Sequence, residues 1–552
     1  MEKASVKTTD SGSFVDRPVY LRPSVKIEPL FCGWLAWSHL LSPVQSGMNF
    51  CFRYLPLLQS FVSNPLVHVA ASKDPTMFGG PFVHLAANEV PMVKDLIIRT
   101  KQSLSRLLQL ANDLKALDIH LQEISTGFSL NEAYSKLPQS LEGLVEFMYD
   151  TNNNPKIHLL EELLYAEYGS DLGADIQEVS LSMVLESERR FFMSTPRMRS
   201  TDSLTISTKY ANPKLDRLTS MKVEPSYLRD LEIDWNLTGL AENHAHFFSA
   251  DAPKRYEPDY IKDGARIRYF GHACVLIQTS KISILIDPIF AYDPESESTS
   301  GCPRFTVCDL PDEIDYLILS HCHQDHCSAE VLLNIRQRVK KVVVPTNNRG
   351  SIADPSMKCI LAQLGFFDVI SVGHFDAVCF DEGKIVSIPF PGEHCDLDVY
   401  SKHSISIEIK GRRLLFLVDS DGRDLALYKR IARYLYGGNC RIDALFLGME
   451  CFGAPLTWLY GPLLTKPVTR RDDESRRLSG SNCERALGIV DQFSCHRVFV
   501  YAMGQEPWLK YVMGLEYGPE SIQLKESAKF VDLCRSKGII SDRLYGSRDI
   551  FL

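Results

Sequence analysis

Several features of secreted, membrane-spanning and nucleic-acid-binding proteins are missing from this sequence. Its 15 cysteines are an odd number, and only Cys32 and Cys51 precede position 274. This distribution does not predict a disulfide framework. Because no signal-peptide pattern opens the chain, we expect reduced thiols and a cytoplasmic location. The net charge of -9 argues against general nucleic-acid binding.

Acidic and basic residues are also absent from positions 29–52, so a membrane span has to be considered. The segment contains Trp34, His39, Pro43 and Gln45, which make it less apolar than a spanning helix. It therefore favours a buried or subunit-contact region over a membrane span.

The first half of the chain has no fixed-period repeat and no phosphate-binding glycine loop. Apolar residues at helical spacing predict helices over 91–122 and 159–168, and 203–209 leans towards a strand. This half indicates no function by itself.

Composition divides the chain into four parts. Residues 1–25 are polar with mixed charge and predict a flexible tail, and residues 26–240 predict an N-terminal domain. Residues 241–264 are rich in polar residues and predict a linker. From position 265 apolar runs bounded by turns alternate with helical patterns, which predicts sheets covered by helices, an α/β sandwich in residues 265–552.

The densest group of metal-binding side chains is His-Cys-His-Gln-Asp-His at positions 321–326. An apolar strand pattern, 314–319, precedes it, and Ser328 can cap a helix predicted over 329–341. The group therefore lies on a loop between a strand and a helix, where α/β proteins place their chemistry. Packing does not explain so many imidazoles and carboxylates, because each would need a buried partner, whereas metal ions use both as ligands.

This loop occurs within an ordered series of motifs. The series is Gly271-His272-Ala273-Cys274, Asp287-Pro288, Ser320 with the 321–326 group, Pro391-Gly392-Glu393-His394, and Val418-Asp419-Ser420. Over about residues 265–510 it resembles the metallo-β-lactamase superfamily, which implies an αββα sandwich. The resemblance implies that His321 and His323 bind one metal, that Asp325 and His326 bind a second, and that Asp419 bridges them.

Two departures distinguish this chain from the hydrolases of the superfamily. Those enzymes place a histidine after the Pro-Gly pair, where this chain has Glu393, followed by His394. They also carry a late histidine, for which the matching region here is Ala502-Met503-Gly504. A carboxylate in place of an imidazole favours iron or manganese over zinc, and a missing ligand leaves positions that O2 needs.

These departures make the chain similar to the diiron β-hydroxylases that serve nonribosomal peptide pathways such as that of chloramphenicol. The resemblance implies an O2-dependent monooxygenase with two iron ions, in which Glu393 and Asp419 are ligands essential to catalysis. It implies hydroxylation at Cβ of an amino acid held as a thioester on a peptide synthetase carrier domain, with electrons from an external donor. It also implies a separate mixed α/β N-terminal domain that contributes to a homodimer. The alternative is a dinuclear metal hydrolase of a thioester, lactone or phosphoester.

Further residues are assigned supporting roles. We expect His394, His272 and Asp287 to support the ligands, although His394 could replace Glu393 as the ligand. Residues 449–464 carry Glu450, Trp458 and Tyr460 and follow a strand pattern. These three predict a pocket for an aromatic side chain, and an aromatic-rich core loop is the alternative.

Overall fold

A computed structural model describes residues 17–74, 77, 79–184, 189–294, 302–437, 441–514 and 516–552 of the chain. Two seven-stranded sheets dominate the C-terminal half, and a four-stranded sheet with several helices dominates the N-terminal half. The predicted α/β sandwich is therefore confirmed.

The elements are numbered in chain order. The strands are β1 (Tyr20–Leu21), β2 (Val25–Phe31), β3 (Trp34–Leu35), β4 (Val145–Tyr149), β5 (Pro155–Leu159), β6 (Gln177–Met183), β7 (Leu204–Ser207), β8 (Phe248–Ser249), β9 (Arg266–Gly271), β10 (Cys274–Gln278), β11 (Ser283–Ile286), β12 (Ile314–Ile318), β13 (Val339–Pro345), β14 (Val369–Val372), β15 (Ala377–Phe380), β16 (Gly383–Ile388), β17 (Ser404–Ile409), β18 (Arg412–Phe416), β19 (Arg441–Ile442), β20 (Ala444–Gly448), β21 (Ser494–Cys495), β22 (Arg497–Tyr501), β23 (Ile540–Arg543) and β24 (Arg548–Phe551). The α-helices are α1 (Pro43–Asn49), α2 (Leu55–Ser63), α3 (Pro65–Ala71), α4 (Val90–Ser103), α5 (Ser105–Ile124), α6 (Asn131–Tyr134), α7 (Glu161–Tyr168), α8 (Lys214–Ser220), α9 (Leu228–Trp235), α10 (Leu240–Asn243), α11 (Ala329–Ile335), α12 (Met357–Gln363), α13 (Leu425–Tyr436), α14 (Leu456–Tyr460), α15 (Arg470–Ser475), α16 (Cys483–Val490), α17 (Lys510–Met513) and α18 (Ile522–Ser536).

The two large sheets share one apolar core. The first sheet has the order β14-β13-β12-β11-β10-β9-β24, and the second has the order β15-β16-β17-β18-β20-β22-β23. Ile284 and Ile286 of the first sheet lie in the same core as Ile407 and Phe446 of the second. Strands β11 to β14 are parallel neighbours, so the loop after β12 emerges at an edge where parallel strands end together.

The N-terminal half packs its own sheet, β3-β2-β6-β7, with the helices α1 to α5. The uncharged segment 29–52 forms the end of β2, all of β3 and α1, and is almost entirely buried. No helix in the described part of the chain is long and apolar enough to cross a membrane. The helix predicted over 91–122 is divided at Leu104, whose φ of -103 and ψ of 16 interrupt the helix between α4 and α5.

The ends of the N-terminal half lie beside each other. Val19 and Leu21 are buried, and β1 pairs with β8, which lies in the predicted linker. The predicted tail, 1–25, is therefore too long at its C-terminal end, because strand pairing holds its last residues; positions 1–16 lie outside the described residues. The first part of the predicted linker 241–264 likewise belongs to the N-terminal half, because α10 and β8 occupy it.

A buried ion-pair network joins the two halves. Arg189 Nη2 lies 2.6 Å from Glu28 Oε1 in β2 and 2.7 Å from Glu330 Oε2 in α11. The Arg189 guanidinium also stacks over the Tyr511 ring at 3.7 Å. Removal of one partner of such a buried pair leaves an uncompensated charge, which costs about 3–5 kcal/mol. The helix that follows the predicted ligand loop is thus held by the N-terminal half.

A second polar contact between the halves is made by Glu161 at the start of α7. Its Oε1 accepts a hydrogen bond from the Ser356 backbone N–H at 2.7 Å, and its Oε2 accepts one from Asn347 Nδ2 at 2.5 Å. Burial nevertheless raises the pKa of Glu161 to about 7. The stability linked to the protonated carboxyl is present below its unfolded pKa and is lost as the pH rises through about 7.

We therefore expect Glu161→Gln to become more stable relative to the wild type as the pH rises. The amide keeps the shape of the carboxyl without carrying a buried charge. The difference between the two melting temperatures should widen by a few degrees from about pH 5 to about pH 8. Thermal unfolding across this range measures it. Glu162→Gln, on the exposed side of the same helix, is the control and should show no widening; a constant difference for Glu161→Gln would contradict the account.

Candidate metal centre

The loop between β12 and α11 presents the predicted ligands His321, His323, Asp325 and His326. The Ser328 side chain accepts a hydrogen bond from the Val331 backbone N–H and so caps α11, as predicted. The helix ends at Ile335 and does not reach the predicted position 341. It is shorter because the chain from Val339 onwards pairs with β12 as the parallel strand β13.

The loop meets two others in one buried cluster. Glu393 lies after β16 and Asp419 after β18, so strands of the second sheet deliver carboxylates to a loop from the first. Three overlapping groups have ligand atoms within 4.8 Å of one another: His321, His323, Glu393 and His394; His272, Asp325 and His326; and His321, His326 and Asp419.

The first group is centred on the Glu393 carboxylate. Glu393 Oε1 lies 2.8 Å from His323 Nδ1, and Oε2 lies 3.9 Å from His321 Nε2. His394 Nδ1 lies 2.8 Å from Glu393 Oε2, and the His394 ring stacks on His323 with centroids 4.5 Å apart. Glu393 and His394 therefore both belong to this group.

The second and third groups are centred on His326. His326 Nε2 lies 2.9 Å from Asp419 Oδ2 and 3.5 Å from Asp325 Oδ2. Asp325 Oδ2 also lies 3.0 Å from His272 Nε2. Residues 502–504, where hydrolases carry the late histidine, also lie beside this group. The Ala502 backbone N–H donates a hydrogen bond to the His272 carbonyl at 2.8 Å.

The three loop histidines share one arrangement: one ring nitrogen faces the cluster and the other has an outer partner. His326 Nδ1 lies 2.9 Å from Asp287 Oδ2, and His321 Nδ1 lies 3.0 Å from Ser320 Oγ. His323 Nε2 lies 2.9 Å from the Tyr460 hydroxyl. Such outer contacts fix the tautomer and orientation of imidazoles that bind metals.

The atoms that face the cluster lack the hydrogen bonds that burial normally requires. His321 Nε2, His326 Nε2 and Glu393 Oε2 are buried without a hydrogen-bond partner among the described residues, although other polar atoms lie close to them. Burial and the neighbouring imidazoles lower the pKa of His321 well below its usual value, so its ring is neutral, as ligation requires. A set of nitrogen and carboxylate oxygen donors that leaves such atoms unpaired fits divalent metal ions of the iron type.

The backbone of Glu393 has a strained conformation. Its φ of +63 lies in the left-handed region, which costs a non-glycine residue about 1–3 kcal/mol. The preceding Gly392 has φ +99, and a Cβ there would lie 2.5 Å from Asp421 Cβ. The tight passage beside Asp421 therefore requires glycine and directs the next carboxylate towards the loop histidines.

An inner cavity of about 80 Å³ adjoins the cluster. Glu450 and Trp458, two of the residues predicted for a substrate pocket, line it together with Phe191 and Met193 of the N-terminal half. Tyr460 is not among the residues that line it; it is fully buried and contacts His323 from behind. Sequence reasoning did not identify Phe191 or Met193, because nothing in their local pattern signals contact with a distant loop.

Glu450 is the acidic group of this cavity. Its Oε1 accepts a hydrogen bond from the Tyr517 hydroxyl at 3.1 Å. Burial raises the pKa of Glu450 well above its usual value, and the nearby Asp325 and Asp419 raise it further.

Comparisons with known proteins agree with this geometry. The diiron non-heme beta-hydroxylase N-terminal domain matches residues 20–253, and a beta-lactamase superfamily domain matches residues 266–373. The 4-amino-L-phenylalanyl-[CmlP-peptidyl-carrier-protein] 3-hydroxylase of Streptomyces venezuelae is 33% identical over 96% of this chain and 99% of its own length.

The chain belongs to the diiron non-heme β-hydroxylases.

Solved structures support the same family. The crystal structure of CmlA, a diiron beta-hydroxylase from Streptomyces venezuelae, has a TM-score of 0.88 at 33% identity and covers 97% of this chain and 99% of that one. A metal-dependent hydrolase of Opitutus terrae is 25% identical over only 38% of this chain and 92% of its own length. The predicted β-hydroxylase with two iron ions and O2 as co-substrate is therefore confirmed over the hydrolase alternative.

The hydrogen bond between His323 Nε2 and the Tyr460 hydroxyl gives a testable prediction for this diiron β-hydroxylase. Tyr460→Phe leaves His323 Nε2 without its outer partner, so the ring loses orientation. We expect iron to bind about tenfold more weakly, as measured by competition with a chelator. Tyr165→Phe is the matched control, because it removes a hydroxyl that donates to the Leu41 carbonyl at 3.0 Å in the N-terminal half. Equal iron affinity in both variants would contradict this role.

Proposed function

We propose that this enzyme hydroxylates Cβ of an aromatic amino acid that is held as a thioester on a nonribosomal peptide synthetase carrier domain. The observation that carries the proposal is the full-length relation to a hydroxylase whose substrate is a carrier-bound 4-amino-L-phenylalanyl group. An external donor would supply two electrons for each turnover.

The ligand assignment is part of the proposal. His321, His323 and Glu393 would hold one iron, Asp325 and His326 would hold the second, and Asp419 would be shared by both. The support is the contact of Glu393 Oε1 with His323 Nδ1 at 2.8 Å and of Asp419 Oδ2 with His326 Nε2 at 2.9 Å. When bound, the two irons would supply the redox chemistry of a monooxygenase: with the donor's two electrons and two protons, one atom of O2 enters the substrate and the other leaves as water.

Outer residues keep these ligands in position. Asp287 accepts from the Ser320 backbone N–H at 2.7 Å and lies 2.9 Å from His326 Nδ1, so it fixes the His326 ring. His272 contacts Asp325 at 3.0 Å and orients that carboxylate. His394 supports Glu393 on its Oε2 side.

The inner cavity is the proposed site of the amino acid. Phe191 and Trp458 offer aromatic faces to a planar side chain, and Glu450 offers a carboxyl group to an amine of the substrate. Tyr460 acts on His323 and not on the substrate. Because a cation stabilises a buried carboxylate and offsets part of its desolvation penalty, Glu450 is suited to select amines.

The N-terminal half is the proposed dimer contact. It exposes apolar side chains on α3, α4 and α5, namely Leu66, Val67, Met92, Ile98 and Ile119. Such side chains are typical of subunit interfaces.

Oxygen labelling tests the reaction. The iron-loaded enzyme is supplied with a phenylalanyl thioester on a phosphopantetheinylated carrier domain, a reductant and ¹⁸O₂. We expect the aminoacyl group to remain on the carrier and to gain one labelled oxygen atom, as measured by mass spectrometry. Release of the free amino acid without label would show a thioesterase and would overturn the proposal.

Glu393→His tests the ligand that separates this site from those of hydrolases. We expect the variant to fold but to retain less than half of the iron or to lose O2 reduction, because an imidazole replaces the carboxylate. Iron content and O2 consumption measure these effects. Asp396→Asn is the matched control, since Asp396 is an exposed acidic residue of the same loop with φ +56. Full hydroxylation by Glu393→His would rule out the assignment.

A further inference from the structure

Two cavities meet beside the metal cluster. An outer cavity of about 610 Å³ lies between α2 of the N-terminal half and residues 457–462 of the catalytic half. The inner cavity of about 80 Å³ lies against His323, Asp325 and Glu393. Both are lined by Phe191, Met193 and Trp458. These three residues therefore form a wall that the outer cavity shares with the space in front of the cluster, and the Phe191 and Trp458 rings contact each other in it.

Two glycines leave room for the rings of Phe191 and Trp458 in this shared wall. Gly79 and Gly514 both have left-handed φ angles, +80 and +60. A Cβ at Gly79 would lie 2.3 Å from Trp458 Cη2, and a Cβ at Gly514 would lie 2.7 Å from Phe191 Cε2. The rings of Phe191 and Trp458 can therefore pack with centroids 5.9 Å apart only because no side chain occupies either position.

The wall of the outer cavity combines apolar surface with a few polar groups. Its apolar members include Phe52, Pro56, Leu57, Phe82 and Pro462. The hydroxyl-bearing residues Ser60, Ser194 and Thr457 also line it. Lys115 Nζ lies 4.2 Å from the centre of the ring of Phe52, which is one of the lining residues. This combination suits a flexible chain of methyl, methylene and amide groups that ends in a phosphate.

We propose that the outer cavity receives the phosphopantetheine arm of the carrier domain and that the thioester reaches the metal cluster through the shared wall, where the rings of Phe191 and Trp458 move apart to admit it. The inference rests on the proposed function, because only a carrier-tethered substrate brings such an arm. Lys115 faces the phosphate of the arm, and the apolar wall contacts its pantoyl methyl groups.

A third cavity is the competing route. It is larger, about 1040 Å³, and is lined by the basic residues Lys156, Arg349 and Lys466. It shares no lining residue with the inner cavity among the described residues. Tyr460 lies between it and His323, is fully buried, and is held by its hydrogen bond to that ring. An arm in the third cavity would have to displace a residue that supports the metal site.

Two ligands that differ only in the arm test the route. The first is phenylalanyl-pantetheine with an amide in place of the thioester, and the second is phenylalanine methylamide. Calorimetry with the iron-loaded full chain gives the ratio of their dissociation constants. For the wild type we expect the arm to tighten binding about tenfold.

Ser60→Trp should bring this ratio close to one, because the indole fills the outer cavity from an exposed position. Ser60→Ala should keep the wild-type ratio; it loses the same contact with His68 Nε2, 3.1 Å away, without filling the cavity. Asn348→Trp fills the third cavity from an exposed position and should also keep the ratio. Equal melting temperatures of the two Ser60 variants exclude misfolding as the cause.

The possible outcomes distinguish a failure of the proposed route of the arm from a failure of the proposed function. An unchanged ratio in Ser60→Trp, or a ratio near one in Asn348→Trp, overturns the route while the labelling result stands. A ratio near one in the wild type overturns the route and also counts against a carrier-tethered substrate.

Discussion

The structure depends on a buried concentration of imidazole and carboxylate groups whose charge metal ions can compensate. His321, His323 and His326 each use one nitrogen for an outer hydrogen bond and direct the other towards Glu393, Asp419 or Asp325. Carboxylates removed from water repel one another and lose hydration, and both effects cost several kcal/mol for each charge. Metal cations at the centre of the cluster attract these carboxylates. The residues that destabilise the fold without metal therefore stabilise it when metal is bound.

Both halves of the protein position this cluster. The sandwich brings loops from both sheets together, while the N-terminal half holds the helix that follows the ligand loop through Arg189 and Glu330. The Ser38 hydroxyl of the N-terminal half also donates to the Cys322 carbonyl at 2.6 Å, inside the ligand loop. The N-terminal half further lines the cavity in front of the metals through Phe191 and Met193. A chain without this half would lose both a support of the loop and one wall of the substrate site.

The sequence predicted the class of metal site better than the contacts that surround that site. Ligands clustered within six residues can be identified from spacing, and the position of Glu393 after Pro391-Gly392 distinguished the site from that of a hydrolase. The strand pattern 314–319 was also predicted closely, since it forms β12, because buried parallel strands are largely apolar runs. The helix over 329–341 was predicted too long, because β-pairing of Val339 onwards depends on a partner strand that local periodicity does not include. For the same reason the contact of Tyr460 with His323 and the place of Phe191 in the cavity were not predicted: both join residues more than 100 positions apart.

Anomalous diffraction at the iron edge, from crystals of the iron-loaded protein, tests the central claim most directly. The account predicts two iron peaks, one bounded by His321, His323 and Glu393 and the other by Asp325 and His326, with the Asp419 carboxylate between them. A single peak, or zinc surrounded by nitrogen donors with the Glu393 carboxylate turned away, would contradict it.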